Sequence, residues 1–432
     1  MQVLVLLLLL VPGSPALAAS ALHFRGLGLL VGTDDCGADA VSSDGAVLVG
    51  ECFAQASFTN QLFRWDAGNG LQALAFPLDT TDCSEPSVSG DGAIVAGTCD
   101  TPGADSEAVR WDAAEHVHSL GTLSGKTSCE VALSPSLSFD GSVVVGDCWS
   151  GDTDYEAFRW DAANGIMQGL GFLAGTTQSI ASAVSADGSG VAGESDSADF
   201  STEEAFRWDA MNDIRGLGSL QDLPNCGGQA ISGDGSIVAG TCFSTDFTSR
   251  EAFHWDAVND MQGLGFPTDK TRSQGSYLSG DGSIVIGYAD SGSGTAREAF
   301  RWDAASGIAG LGNLSGLDSC EPSSVSRDGS LVAGSCSDSA GILAEKGFVW
   351  DAQNGIRDVQ GILVDAGNDL TGWQLTYAVV SADGRTLAGV GLRMGHREPW
   401  IAPEAPASST GAVVVASLAL LARRQGLARA PA

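Results

Sequence analysis

Residues 229–265 read QAISGDGSIVAGTCFSTDFTSREAFHWDAVNDMQGLG. QAIS reads as a short strand, and GDG as a tight turn in which Gly235 supplies a positive φ. SIVAG alternates as a second strand. After a longer loop, EAFHW is a third, rich in aromatics. DAVND turns the chain, and MQGLG is a fourth strand. Four short antiparallel strands with two tight turns make one blade of a β-propeller.

The same phrasing recurs along the chain. Trp-Asp stands at Trp65, Trp111, Trp160, Trp208, Trp255, Trp302 and Trp350, at intervals of 46 to 49 residues, and REPWIA adds Trp400 as an eighth copy without the Asp. Asp-Gly keeps the same beat at Asp44, Asp91, Asp140, Asp187, Asp234, Asp281, Asp328 and Asp383. Eight units of about 47 residues predict eight blades. The ends are complementary. HFRGLGLL (23–30) is a fourth strand without the first three, and PWIA (399–402) is a third strand without its fourth. A closed ring explains this and an open stack does not, because the first strand can complete the last blade and leave no unpaired edge. The expected fold is all-β: an eight-bladed β-propeller of four-stranded antiparallel blades over residues 19–402, closed by the N-terminal strand.

Strand alternation also assigns work to the phrase EAFRWD (156–161). Glu156, Phe158 and Trp160 share one face, and Ala157, Arg159 and Asp161 the other. Phe and Trp fill the layer between blades, and Arg and Asp on one side neutralise each other. His254 and Val349 replace the Arg in two units, which suits a structural position rather than a shared active residue. The units EAFRWDAANGIMQGLG (156–171) and EAFRWDAASGIAGLG (298–312), with the closing stretch TGWQLTYAVVSADGRTLAGVG (371–391), resemble the HAF-repeat family of bacterial extracellular repeat proteins. Glu stands where that family's name has His. The resemblance implies a secreted or surface protein with no assigned catalytic residues.

The ten cysteines fall into five pairs: Cys36–Cys52, Cys83–Cys99, Cys129–Cys148, Cys226–Cys242 and Cys320–Cys336. Each pair brackets an Asp-Gly turn. In four pairs both cysteines stand eight residues from the Asp, so a hairpin places them opposite each other. The extra residues of the third pair, around LSPSL (133–137), should bulge. Three units have neither cysteine, and Ser179 and Ser195 hold the positions in one of them. Paired occurrence predicts disulfides, each closing a loop worth about 3 kcal/mol in the chain-entropy view.

The termini point outside the cytoplasm. Residues 1–18 read as a signal peptide, cleaved after Ala18, with an uncleaved anchor as the alternative. Residues 403–411 form a Pro/Ala/Ser linker. In residues 412–432 an apolar run, Ala412 to Ala422, precedes Arg423 and Arg424. This tail resembles a PEP-CTERM-type sorting signal; a plain membrane tether is the alternative. The net charge of −32 argues against nucleic acid and anionic membrane surfaces as partners.

Chemistry is sparse. His23, His116, His118, His254 and His396 are scattered, and there is neither a G-x-S-x-G motif nor a Gly-rich phosphate loop. No catalytic, cofactor-binding or metal-ligating set is assigned. Loop acids such as Asp152, Asp154, Asp196 and Asp199 could bind Ca²⁺, without EF-hand spacing. The tight turns all fall at one end of the blades and the longer, more variable connections at the other, where binding usually resides. The expected function is that of a non-catalytic monomer, secreted or at the cell surface, acting as a binding or adhesion module toward extracellular polysaccharide or a surface protein, or as an envelope-associated structural module. The alternative is a carbohydrate-active hydrolase or lyase using carboxylates on the long-loop face.

Overall fold

The structure is a computed structural model that describes residues 22–404, apart from 79, 81, 102–104, 115, 134, 152–153, 200, 293–295 and 339–344. The expected signal peptide, the linker beyond residue 404 and the C-terminal tail lie outside the described residues.

The chain forms eight antiparallel sheets in sequence order around a ring, an eight-bladed β-propeller. Blade 5 shows the pattern. Its strands are Asn225–Ile231, Ile237–Phe243, Arg250–Asp256 and Asp260–Gly263, from the axis outward. In blade 8 the strands Trp373–Val380, Thr386–Arg393 and His396–Pro403 are completed by Arg25–Gly26, which pairs with Ile401 and Trp400. Amides of His23 and Leu27 donate to the carbonyls of Pro403 and Pro399 and lengthen this closure. Ring closure through the N-terminal strand therefore stands as the complementary ends required.

The repeated phrase works as a set of stitches. Phe158, Phe206, Phe253, Phe300 and Phe348 are fully buried between blades. The Arg reaches the next blade's Asp-Gly turn: Arg64 Nη1 donates to the Gly92 carbonyl at 2.6 Å, and Arg159, Arg207 and Arg301 repeat the bond to Gly188, Gly235 and Gly329. The Asp two residues on pairs with it, as in Arg159–Asp161 at 3.0 Å. The Glu accepts from the amide of the glycine two residues past the fourth strand, Glu251 from Gly265 at 2.9 Å and Glu298 from Gly312 at 3.1 Å.

Every Asp-Gly turn is preceded by a buried Ser whose hydroxyl donates to the Asp, as from Ser42 to Asp44 and from Ser381 to Asp383. These turns also bond to one another around the whole ring. Ser43 N–H donates to Gly90 O, Asp91 to Phe139, Phe139 to Ala186, Asp187 to Gly233, Gly233 to Gly280, Gly280 to Arg327, Arg327 to Ala382, and Asp383 back to Ser43, at 2.8–3.1 Å. One backbone bond thus crosses each of the eight blade junctions. The Arg327 guanidinium of blade 7 lies over the Phe139 ring of blade 3, 5.8 Å from its centroid, across this mouth.

All five disulfides form as paired, and among the described residues no cysteine is free. Together they place the protein in an oxidising compartment, extracellular or periplasmic. Ser179 and Ser195 are directly opposite in blade 4, so the register is the same where the bond is missing.

Three features depart from the sequence reading. Trp400 is not an eighth copy of the repeat tryptophan. It pairs with Gly389, as Phe158 pairs with Gly146, while Ala402 opposite Leu387 holds the tryptophan's place. Its indole N–H has no partner, as expected in a slot built for Phe. A helix, Val359–Asp365, links blades 7 and 8, capped by Asp358, which accepts from the Gln360 amide. It buries Val359, Ile362 and Leu363 on one face, the i, i+3, i+4 spacing of an amphipathic helix. Finally, the axis-lining strands of most blades carry a one-residue bulge, at Gln229 in blade 5 and Ser323 in blade 7.

Candidate functional site

The first strand of each blade lines the axis, so the side chains of these eight strands and their neighbours surround a central channel. The turn-end mouth is crossed by the backbone ring and by Arg327 over Phe139. The opposite mouth, with the longer connections and the disulfides, is the approach left for a ligand.

Two cavities meet inside it. One, of about 380 Å³, lies between blades 1 and 8 and is lined by Asp39, Glu51, Phe53, Asn60, Tyr377 and Arg397 among others. The second, of about 300 Å³, runs along the axis, with Asp39, Gln229, Tyr277 and Ser323 in its wall. Asp39 belongs to both. Burial, then the charge of Glu51, pushes its carboxyl up to about 7, while the Arg397 charge and the Glu51 amide oppose the rise. Burial also raises Glu51, helped by Glu85 and Asp82.

These acids begin an arc along blades 1 to 4. Burial and Glu85 raise Glu130 to about 7. Asp147, 4% exposed, is raised well above the usual carboxylate range by burial, then by Glu130 and Glu85. Burial and Glu203 raise Asp196 to about 7. Glu194 hydrogen-bonds Glu203, and burial followed by the Glu203 charge raises it. Carboxyls gathered out of water keep their protons because like charges at low dielectric repel.

The other side of the ring is cationic and aromatic. Arg250 pairs with fully buried Asp290, and Arg297 bridges Glu321 at 2.5 Å and lies 4.4 Å over the Tyr288 ring. The channel therefore has an acid-rich sector facing an arginine and tyrosine sector.

A larger groove of about 720 Å³ lies on the turn face between blades 3 and 5, lined by Arg159, Arg207, Arg215, Trp208 and Trp255 among others. Arg159 and Arg207 already hold the neighbouring turns, and both tryptophans are buried, so this groove is part of the stitching.

The acids named from sequence fare differently. Asp154 is held by Lys126 at 2.6 Å and by Ser150. Asp199 accepts from Ser197 and Ser201 within its own loop. Asp152 lies outside the described residues. Asp196 alone of the four enters the channel-side arc. Among the described residues, no group of three or more His, Cys, Asp or Glu side chains is placed to hold a metal ion. His116 and His118 both contact Asp112 at 3.3 Å. His254 stacks on Trp302, and His396 Nδ1 contacts the Asp34 carbonyl.

Sequence reasoning missed Asp39, Glu51, Glu130, Asp147, Glu194 and Glu203. Three of them carried a signal: Gly50-Glu51-Cys52, Gly146-Asp147-Cys148 and Gly193-Glu194-Ser195 put an acid inside a strand of otherwise buried residues. Acids are rarely placed there without a reason.

No family model and no curated protein matches the chain. Among solved structures, the Dos1 propeller is similar over 89% of this chain and 96% of its own, at 12% identity and a TM-score of 0.53. A prolyl endopeptidase is similar over 84% of this chain and 55% of its own, at 11% identity and a TM-score of 0.54. An oligogalacturonate lyase from Vibrio parahaemolyticus covers 90% and 98%, at 9% identity and a TM-score of 0.49. At such identities the first two show the propeller fold and nothing finer.

Proposed function

We propose that this is a secreted or cell-surface binding propeller that takes a segment of extracellular polysaccharide at the long-connection mouth of its channel. The observation that carries the reading is the 380 Å³ cavity between blades 1 and 8. Its size falls within the roughly 300–1,000 Å³ of small-ligand sites. Carboxyls (Asp39, Glu51), a guanidinium (Arg397), an amide (Asn60) and a phenol (Tyr377) offer both acceptors and donors, beside the apolar edge of Phe53. Vicinal hydroxyls need that mixture of partners. The Cys36–Cys52 disulfide holds the strands that carry Asp39 and Glu51, so the groups are pre-ordered. HAF-like repeats and the sorting-type tail agree with display outside the cell.

The test is a glycan array with the purified protein, followed by titration of each hit. Saturable binding should fall roughly 10- to 100-fold in Asp39→Asn and in Arg397→Ala, the loss of one or two charge-assisted hydrogen bonds. Arg215→Ala, on the turn face, should leave it unchanged. Binding that ignores the first two variants overturns the assignment. One observation favours a second reading: a carboxyl at about 7 is matched to proton transfer near neutrality. Release of new reducing or unsaturated ends from a bound glycan, lost in Asp39→Asn, would establish a hydrolase or lyase instead.

A further inference from the structure

Two positions at the long-connection end carry an aromatic ring in every second blade. The first follows the second cysteine of the unit, or the residue in its place. It holds Phe53, Trp149 and Phe243 in blades 1, 3 and 5, and Asp100, Asp196 and Asp290 in blades 2, 4 and 6. The second comes three residues past the fourth strand. It holds Phe76, Phe172 and Phe266 in blades 1, 3 and 5, and Thr122, Ser219 and Asn313 in blades 2, 4 and 6. The disulfides do not require the rings, since Cys99 and Cys336 are bonded in the same way and are followed by Asp100 and Ser337.

In each of these three blades the first ring packs against a second across the loop: Phe53 with Phe58 at 6.2 Å between centroids, Trp149 with Tyr155 at 5.6 Å, and Phe243 with Phe247 at 5.9 Å. Phe58 and Phe247 stand out from the loops, 77% and 55% exposed. Both have a left-handed backbone, with φ of 55° and 54°, which suits Asn or Gly and is costly for a bulky residue. Their amides fix them there by donating to the carbonyls of Ala54 and Ser244 at 2.9 and 2.8 Å. A phenylalanine kept exposed at a cost in backbone strain is placed for contact rather than for stability. The neighbours are polar: Ser57 and Thr59 flank Phe58, and Asp246 and Thr248 flank Phe247. Separate rings among hydroxyls do not form the continuous apolar patch that a protein or lipid partner covers.

We propose that the aromatic pairs of blades 1, 3 and 5 are stacking platforms for a neutral polysaccharide chain, which runs over the long-connection rim from the cavity between blades 1 and 8. This rests on the reading that the cavity takes a glycan, and it adds the class of glycan and its path. A pyranose presents C–H groups on its faces and hydroxyls around its edge. The C–H hydrogens meet the negative face of an aromatic ring, and the hydroxyls reach the polar residues beside it. Phe53 both lines the cavity and belongs to the first platform, so the two are continuous. Platforms on separate blades can be reached together only by a polymer. The surrounding charge selects against polyuronates: exposed Asp199 and Asp246 are held down to about 2, first by loop hydroxyls, and stay ionised. Such a rim repels a polyanion.

The test is affinity electrophoresis of the purified protein through glucan, mannan, galactan and xylan, with polygalacturonate and alginate as the anionic arm. The polymer that retards it most is then titrated beside its own trisaccharide. A neutral polymer is expected to retard the protein most, and to bind at least about tenfold tighter than its trisaccharide. Phe58→Asn and Phe247→Asn should each weaken the polymer about three- to tenfold, the worth of one aromatic contact. Both should leave the trisaccharide unchanged and keep or raise the melting temperature, because Asn accepts the left-handed backbone. Val258→Ala, 89% exposed on the turn face, should change neither ligand. Asp39→Asn should weaken polymer and trisaccharide alike. Loss in Asp39→Asn with full polymer binding in both Phe variants overturns the platforms and keeps the cavity; the reverse pattern overturns the cavity and keeps the platforms. Preference for a polyuronate, or a polymer bound no tighter than its trisaccharide, overturns the platforms. No retardation by any polymer overturns both.

Discussion

The blade 4–5 and blade 6–7 interfaces use the same backbone positions and reach opposite electrostatic states. Gln178, Glu194, Asp196 and Glu203 in blade 4 correspond to Arg272, Tyr288, Asp290 and Arg297 in blade 6. Gly227 and Glu321, each following the first cysteine of its blade, face them. Around blade 6 every one of these acids meets a cation: Asp290 takes Arg250 of blade 5, and Glu321 of blade 7 takes Arg297, which also covers Tyr288. At the 4–5 junction the acids meet one another. The stitches beneath are the same, since Arg207 and Arg301 hold the next turn in both places. The difference teaches that the repeated residues fix the ring, and that the few positions at its open mouth are free to carry chemistry. One residue upstream of the repeated Glu-Ala sets much of it: Glu203 in one blade, Arg250 and Arg297 in two others.

The largest effect is expected from removing a cation that blade 5 supplies to blade 6. Arg250→Ala leaves fully buried Asp290 without its partner and should cost about 3–5 kcal/mol in denaturant unfolding. Glu203→Gln at the unpaired junction should cost nothing at pH 8 or stabilise. If the two variants lose similar amounts, the contrast between the junctions is not energetic. A smaller loss, about 1–3 kcal/mol, is expected for Gly227→Ala, because the added methyl overpacks the pocket against Glu194 and Glu203. An unchanged midpoint for that variant would show a looser interface than the one described.

The smallest effect is a slope with pH. Asp196 is raised to about 7, and Glu194 and Glu203 are raised above their usual range. The folded chain thus holds protons that the unfolded chain releases near pH 4, so this stabilisation is full below that pH and is lost as pH rises through 7 to 8. The melting temperature should fall between pH 5.5 and 8.5. Glu203→Gln should flatten the fall only in part, because Asp39 and Glu130 titrate in the same window. A melting temperature that is constant or rises across it would contradict the protonated arc.

Much of the fold was legible in the chain because repetition and strand alternation are local signals. The Trp-Asp and Asp-Gly beats counted the blades, the complementary ends closed the ring, and the spacing about each Asp-Gly turn paired all ten cysteines. Trp400 was misplaced by sequence because a tryptophan in a Phe slot looks like the repeat tryptophan until the register against Gly389 is known. The helix Val359–Asp365 was missed because seven residues carry too short a period to stand out between strands. The site was hardly legible at all. Asp39, Glu51, Glu130, Asp147, Glu194 and Glu203 are separated by tens of residues, and each alone reads as one more acid in a chain of net charge −32. The sequence by itself determined the strands, the count and the staples, since each depends on neighbours a few residues away. Only the tertiary structure decided which acids share a face and which meet an arginine, because ring closure sets those distances between blades.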